Sequence, residues 1–329
     1  MSTIDASAAF QKGCEVRKEG QQGIVVLNFG APRYLGVKGF GTRLIRGQRA
    51  YVTLSQIENA VKAFAFGYQY VQICDSPPAN PVAPKLVIAI GTTNSKTYPN
   101  ENPTIPLADN RVLSDTYILN GIGTTSGQEW AKVVNSVNSY LGGTNAFPAI
   151  QAAGAYDAEF GVGEWSNFDL TLGWANSFSK ATKAYYYAFG TCDGCPTDPQ
   201  EANWNVGEKQ VMEKAFKISW DVPAAVPLPQ VYYGDPNQAQ QWANVRWYAH
   251  QSPYNANMVF YGGMTGCLRV GCVFRNSSSW RSVPYFQELS PSQGWNALFD
   301  TINAPISPDN AINTYPQPNI RWITDIKDQ

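Results

Sequence analysis

The chain has 329 residues, 44% of them hydrophobic and only 15% charged, with a formal net charge of -1. A chain of this size and apolar content buries roughly 75% of its unfolded surface, which excludes a disordered protein. The near-zero charge and the lack of a basic run remove the electrostatic footprint of a nucleic-acid or anionic-membrane binder, and no window approaches the roughly 18 consecutive apolar residues of a membrane span.

The start of the chain, residues 1–13, has no apolar segment of the signal-peptide kind. Residues 1–22 are therefore read as an N-terminal extension and 23–329 as one domain. From there, short β-branched or aromatic runs alternate with amphipathic windows, the pattern of repeated βα units on a parallel sheet. Strands are expected at 24–29, 68–74, 86–91, 150–160, 184–190, 216–220, 230–233 and 258–261. Helices are expected at 54–66, 127–141, 170–182, 208–214, 237–249 and 291–303. Eight strands with helices between them imply a (β/α)8 TIM barrel, a fold that routinely exceeds 250 residues as a single unit. The unit between the second and third strands is degenerate, because 76–84 carries four prolines and reads as a loop. Ser55 with Glu58, and Ser126 with Glu129, have capping-box spacing ahead of helix-period runs. Long loops at 92–126 and 262–290 follow strand ends and are expected on the face of the barrel where function concentrates.

Six cysteines are present. Cys192 and Cys195 form a C-x-x-C in a Gly-rich turn, and Cys267 and Cys272 stand five apart in a second Gly-rich loop. Four thiolates suffice for a zinc site on paper, but the second spacing departs from the usual C-x2-4-C, and disulfides stapling these loops are the expectation. The even count favours an oxidising compartment, so a secreted or extracellular protein is expected, with the cytoplasm as the alternative.

The chemistry concentrates in the segment Gly-Ala-Tyr-Asp-Ala-Glu-Phe at 154–160. Side chains two apart on a strand project from one face, so Asp157 and Glu159 point together with Tyr156 and Ala158 opposite. Two carboxyls in one cleft repel each other and resist desolvation, which raises one pKa and leaves the other group ionised, giving an acid and a base together. The bland alternative is that one acid caps a backbone group or pairs with a Lys or Arg. Other polar groups end expected strands: Asn28, Asp75, Asn94 and Asp221. Aromatic residues gather at the same ends, namely Tyr186, Trp220, Tyr232, Tyr233 and Tyr261. Part of this set is core; the rest suits the floor of a sugar cleft, since flat rings with neutral amides are what sugars bind. Asn28, Asp75, Asn94, Tyr186, Trp220, Tyr232 and Tyr261 are the candidate substrate-binding residues.

The single histidine, His250, closes the expected seventh helix, away from that face. A Ser-His-Asp triad, a Cys-His dyad and a histidine-bound zinc all need a histidine at the site, so those mechanisms fall away. No phosphate loop and no G-x-G-x-x-G after the first strand is present. No cofactor and no metal is expected.

The 153–160 segment through Trp174, together with 186–196, Ser219-Trp220, 227–232, 88–95, Gln241-Trp242 and 322–326, resembles a bacterial glycoside-hydrolase-like TIM-barrel family of unassigned function. The likeness covers most of the chain from Gly23 onward. More distantly, the chain is similar to lysozyme-type muramidase barrels, which carry an Asp-x-Glu on strand four and an Asp on strand one. By that resemblance Glu159 is the general acid and Asp157 orients or stabilises the reacting sugar. The first-strand acid is replaced here by Asn28, which removes one means of stabilising an oxocarbenium ion. Two readings follow. The first is a glycosidase cleaving a polysaccharide or peptidoglycan glycan by carboxylate chemistry. The second is a non-catalytic barrel that binds glycans or proteins, or serves as a structural or assembly component. The expected partner is a carbohydrate, with no nucleic acid, no membrane, and no feature that sets an oligomeric state.

Overall fold

A computed structural model describes residues 5–18, 20, 23–34, 39–44, 51–74, 85–93, 124–143, 147–160, 168–232, 237–251, 253–265, 289, 291–304 and 323–325. The main sheet consists of β1 (Gly23–Asn28), β5 (Leu86–Thr93), β6 (Ile150–Asp157), β7 (Tyr186–Gly190), β8 (Ala225–Pro229) and β9 (Ile323–Asp325). All neighbours are parallel, in the order β8-β7-β6-β5-β1-β9. A separate antiparallel sheet of β2 (Ala31–Tyr34), β3 (Phe40–Arg43) and β4 (Tyr51–Thr53) is inserted between β1 and β5. The expected eight-stranded closed barrel is therefore incorrect: among the described residues the parallel sheet has six strands, and three further strands form a sheet of another kind.

Three of the eight expected strands explain the shortfall. Residues 68–74 are not a strand, because the helical period of α2 (Leu54–Gln69) runs through them: Ile57, Val61, Phe64, Ala65 and Tyr68 are all buried, and a single 3-10 turn follows at Val71–Ile73. Residues 216–220 finish α5 (Val206–Phe216) and a wider helical turn, Lys217–Asp221, in which the Ser219 hydroxyl donates to the Ala215 carbonyl at 2.6 Å. Residues 258–261 carry no strand. The expected strand at 230–233 is displaced to Ala225–Pro229, and Gln230 adds a single parallel bridge to Met264. The prolines at 227 and 229 argue against a strand interior, yet β8 ends the ladder, where a missing N–H is tolerated.

The remaining helices are α1 (Ala6–Lys18), α3 (Ser126–Gly143), α4 (Phe168–Ala181), α6 (Asn237–His250) and α7 (Pro291–Asn303). From β1 to β8 each crossover steps to the next strand in the same direction. Right-handed connections of that kind place their helices on one face of the sheet. The strand side chains divide accordingly. Val25, Leu27, Ile88, Ile90, Ala152, Tyr156, Tyr186 and Ala188 join the helices in the large core, whereas Ile24, Val26, Ala89, Ala153, Ala155, Tyr187, Phe189, Leu228, Tyr232 and Met264 form a second apolar cluster on the other face.

The residues ahead of β1 hold α1, packed on α2. A Cβ on Gly13 would lie 2.1 Å from the Phe64 carbonyl oxygen, and one on Gly67 would lie 2.1 Å from that of Phe10, so two glycines let the helix backbones touch. The Cys14–Cys74 disulfide ties α1 to the end of the 3-10 turn. The capping box of α2 uses Thr53 and Gln56, and that of α5 uses Asn205 and Glu208. Ser55 lies inside α2, one residue past its start, so the expected Ser55–Glu58 box is not formed.

Candidate active site

The backbone ladder between β6 and β7 runs beyond the regular strands: Ala158 N donates to the Phe189 carbonyl at 2.7 Å and Phe160 N to that of Thr191 at 3.0 Å. The pleat therefore continues through residue 160. Tyr156, Ala158 and Phe160 enter the helix-side core, and Asp157 and Glu159 share the opposite face, both half-buried. On that face the residues of β5 and β6 next below the acids are small: Ala89, Gly91, Ala153 and Ala155.

Neighbouring strands bring polar groups to the pair. Gly30 N donates to Asn28 Oδ1 at 2.9 Å, which fixes the amide orientation, and Asn28 Nδ2 then faces Asp157 Oδ2 at 3.4 Å. Gln230, which is buried, presents Nε2 to Asp157 Oδ1 at 3.4 Å. Thr93 is the register partner of Asp157 on β5. The hydroxyl of Thr191, the first residue after β7, donates to Glu159 Oε2. Burial pushes the Glu159 carboxyl above the usual 4.5 and the nearby Asp193 charge adds to this; hydrogen bonds from Thr191 and with Asp157 pull the other way. Two carboxyls side by side on one strand face share a proton more readily than they carry two charges.

Gly190 makes the approach of Thr191 possible. Its φ of 152° belongs to glycine, and a Cβ there would stand 2.2 Å from the Ala158 carbonyl oxygen. No larger residue fits between the two strand ends.

The structure brings Asn28 to the two acids and leaves other expected substrate-binding residues elsewhere. Tyr186 is fully buried on the helix side, with its hydroxyl donating to the Ile218 carbonyl, and Trp220 packs against the same core. Neither faces the acids, so their expected place on a sugar cleft is corrected: Tyr186 follows the β7 alternation inward and Trp220 belongs to a helical turn. Tyr232 lies in the apolar cluster on the acids' face, and Tyr261 is 40% exposed with its phenol near that of Tyr187. Asp75 and Asn94 lie outside the described residues, as do Cys267 and Cys272 and most of both long loops. Cys192 and Cys195 form a disulfide. Among the described residues, no group of three His, Cys, Asp or Glu side chains is placed to hold a metal ion, and no helix is long and apolar enough to cross a membrane.

Thr93, Thr191, Asp193 and Gln230 were missed by sequence reasoning. Thr191 and Asp193 were visible only as parts of a turn, and Gln230 only as the start of a strand, so the signal that could have found them is the parallel register itself. A cavity of about 870 Å³ lies at the opposite end of the sheet, lined by Gln151, Lys180, Lys183 and Tyr185 among others, and includes neither acid. Comparison with family models, curated proteins and solved structures gives no match for this chain.

Proposed function

We propose that the chain is a glycosidase-like enzyme in which Glu159 donates a proton to the leaving oxygen of a neutral glycan, a polysaccharide or the glycan of peptidoglycan. The observation that carries this reading is the placement of Asp157 and Glu159 on one half-buried face at the carboxyl end of a parallel sheet, with burial holding the Glu159 carboxyl above its ordinary range. In open α/β sheets that end is where ligands bind. A raised carboxyl pKa suits a general acid working near neutrality.

Asp157, two residues from Glu159 on the same strand face and flanked by the Asn28 and Gln230 amides, is suited to orient the substrate and steady the developing charge. Asn28 and Gln230, whose amides flank Asp157, are suited to the hydroxyl or acetamido groups of a sugar. The two disulfides support a secreted protein, because such bonds persist in oxidising compartments.

The test is product formation from peptidoglycan and from chito- and cello-oligosaccharides, followed as new reducing ends. The wild-type chain should release them from one of these substrates, and Glu159→Gln should reduce the rate by about 10²- to 10⁴-fold. Equal release by the variant would remove the mechanism. Binding with no release by the wild type would favour a glycan-binding protein.

A further inference from the structure

The turn after β7 is held more firmly than a surface connection requires. Cys192 and Cys195 close it covalently, with Cα atoms 5.3 Å apart and both side chains buried. Within it, Cys195 N donates to the Cys192 carbonyl at 2.7 Å, and Gly194 N donates to the Phe160 carbonyl at 2.9 Å. From α6, Gln241 Nε2 donates to the Cys195 carbonyl at 3.1 Å, and Asn244 Nδ2 to those of Pro196 at 2.8 Å and Asp198 at 2.9 Å. Trp204 Nε1 adds a bond to the Asp198 carbonyl at 2.8 Å. Backbone carbonyls of one turn thus receive four side-chain N–H contacts, from donors that are otherwise expensive to bury.

All of this restraint ends at Thr191, which immediately precedes the disulfide. Its carbonyl accepts from Phe160 N, its own hydroxyl donates to Glu159, and both contacts are made next to the close approach of Gly190 to Ala158. A β-branched residue with its backbone fixed has few χ1 choices, so a fixed turn means a fixed hydroxyl direction. We propose that the Cys192–Cys195 turn, clamped by Gln241 and Asn244, is a positioning device, and that Thr191 is the positioning residue through which it orients the carboxyl of Glu159. This rests on the acid/base reading of the pair and assigns part of its geometry to residues outside the strands.

Removing the Thr191 hydroxyl takes a donor from the ionised form of Glu159. The carboxyl should then hold its proton to higher pH, since burial and the Asp193 charge, which both favour the protonated form, remain while Asp157 stays in place beside it. The experiment is a ¹³C NMR titration of the Glu159 side-chain carboxyl in the full chain. Thr191→Val, nearly isosteric, should raise the midpoint by about one pH unit, and Thr191→Ser should return it to the wild-type value. The double variant Cys192→Ser/Cys195→Ser should move it in the same direction as Thr191→Val by a smaller amount. Should that variant fail to fold, Gln241→Ala removes one clamp with the disulfide intact and should act in the same sense. An unchanged midpoint in Thr191→Val, a serine variant that behaves like valine, or a loosened turn with the wild-type midpoint would each overturn the proposal. A wild-type midpoint at the ordinary carboxyl value would instead refute the acid/base reading, so the two failures are distinguishable.

Discussion

Asn28 and Asp157, 129 positions apart in sequence, meet at 3.4 Å because β1 and β6 both lie beside β5 and expose the same face of the sheet. The Asn28 amide is oriented by Gly30 N, so its donor end faces the acid. Asn28→Asp would keep the bond to Gly30 and turn a carboxylate oxygen toward Asp157. Like charges at this separation disfavour ionisation, so the variant should be less stable than wild type at neutral pH and recover as the added carboxyl is protonated. Melting temperature measured from about pH 4 to pH 8 checks this; a pH-independent difference would contradict it.

Glu159→Gln should change the pH dependence of stability as well as turnover. The folded-state pKa of Glu159 lies above its unfolded value, so the folded chain binds this proton more tightly. Its contribution is therefore most favourable at low pH, and it weakens as pH rises from the unfolded value of about 4.5 through the raised folded value. The glutamine variant should lose that decline and gain stability relative to wild type at pH 7. Urea midpoints across this range provide the measurement. A variant curve parallel to that of wild type would count against a raised pKa.

Gly190→Ala should be among the most damaging single-methyl changes in the chain. The added Cβ would collide with the Ala158 carbonyl and stand at a φ of 152°, so a loss of about 3 kcal/mol or more is expected. Gly142→Ala, in the last turn of α3 where a Cβ meets nothing within 4 Å, should be neutral or stabilising by up to about 1 kcal/mol. Chemical denaturation of the two variants side by side makes the comparison.

The Cys14–Cys74 disulfide closes a 60-residue separation. In the chain-entropy model, opening a loop of that size costs up to about 4 kcal/mol. Cys14→Ser/Cys74→Ser should show this as a lower unfolding free energy with the site intact, because α1 packs chiefly on α2 and not on the strands that carry the acids. Retained stability would mean that the Gly13 and Gly67 contact alone holds α1 to α2.

The helices from 54 to 303 were legible because their apolar residues recur at helix spacing, and β1, β5, β6 and β7 because they are short β-branched or aromatic runs. The errors came where two periods coincide or where composition misleads. Tyr68 fits a β-rich run and also extends the buried face of α2, and the longer periodic pattern won. Pro227 and Pro229 hid a real edge strand. The three-stranded sheet at 31–53 has no alternation strong enough to announce it, since Arg33, Thr42 and Arg43 occupy its strands. At the site, the alternation that puts Asp157 and Glu159 on one face can be read from six residues. Asn28 can be read as a polar strand end, but its contact with Asp157, and the approach of Thr191 and Gln230, cannot, because they arise only from strand order and register.

The central claim is that Glu159, beside Asp157, holds its proton above the ordinary carboxyl range. The most direct measurement is the carboxyl midpoint of Glu159 in the wild-type chain, followed by its ¹³C chemical shift. The account predicts a midpoint clearly above 4.5, moved downward by Asp193→Asn because one neighbouring negative charge is gone. A midpoint at or below 4.5, insensitive to Asp193, would contradict it.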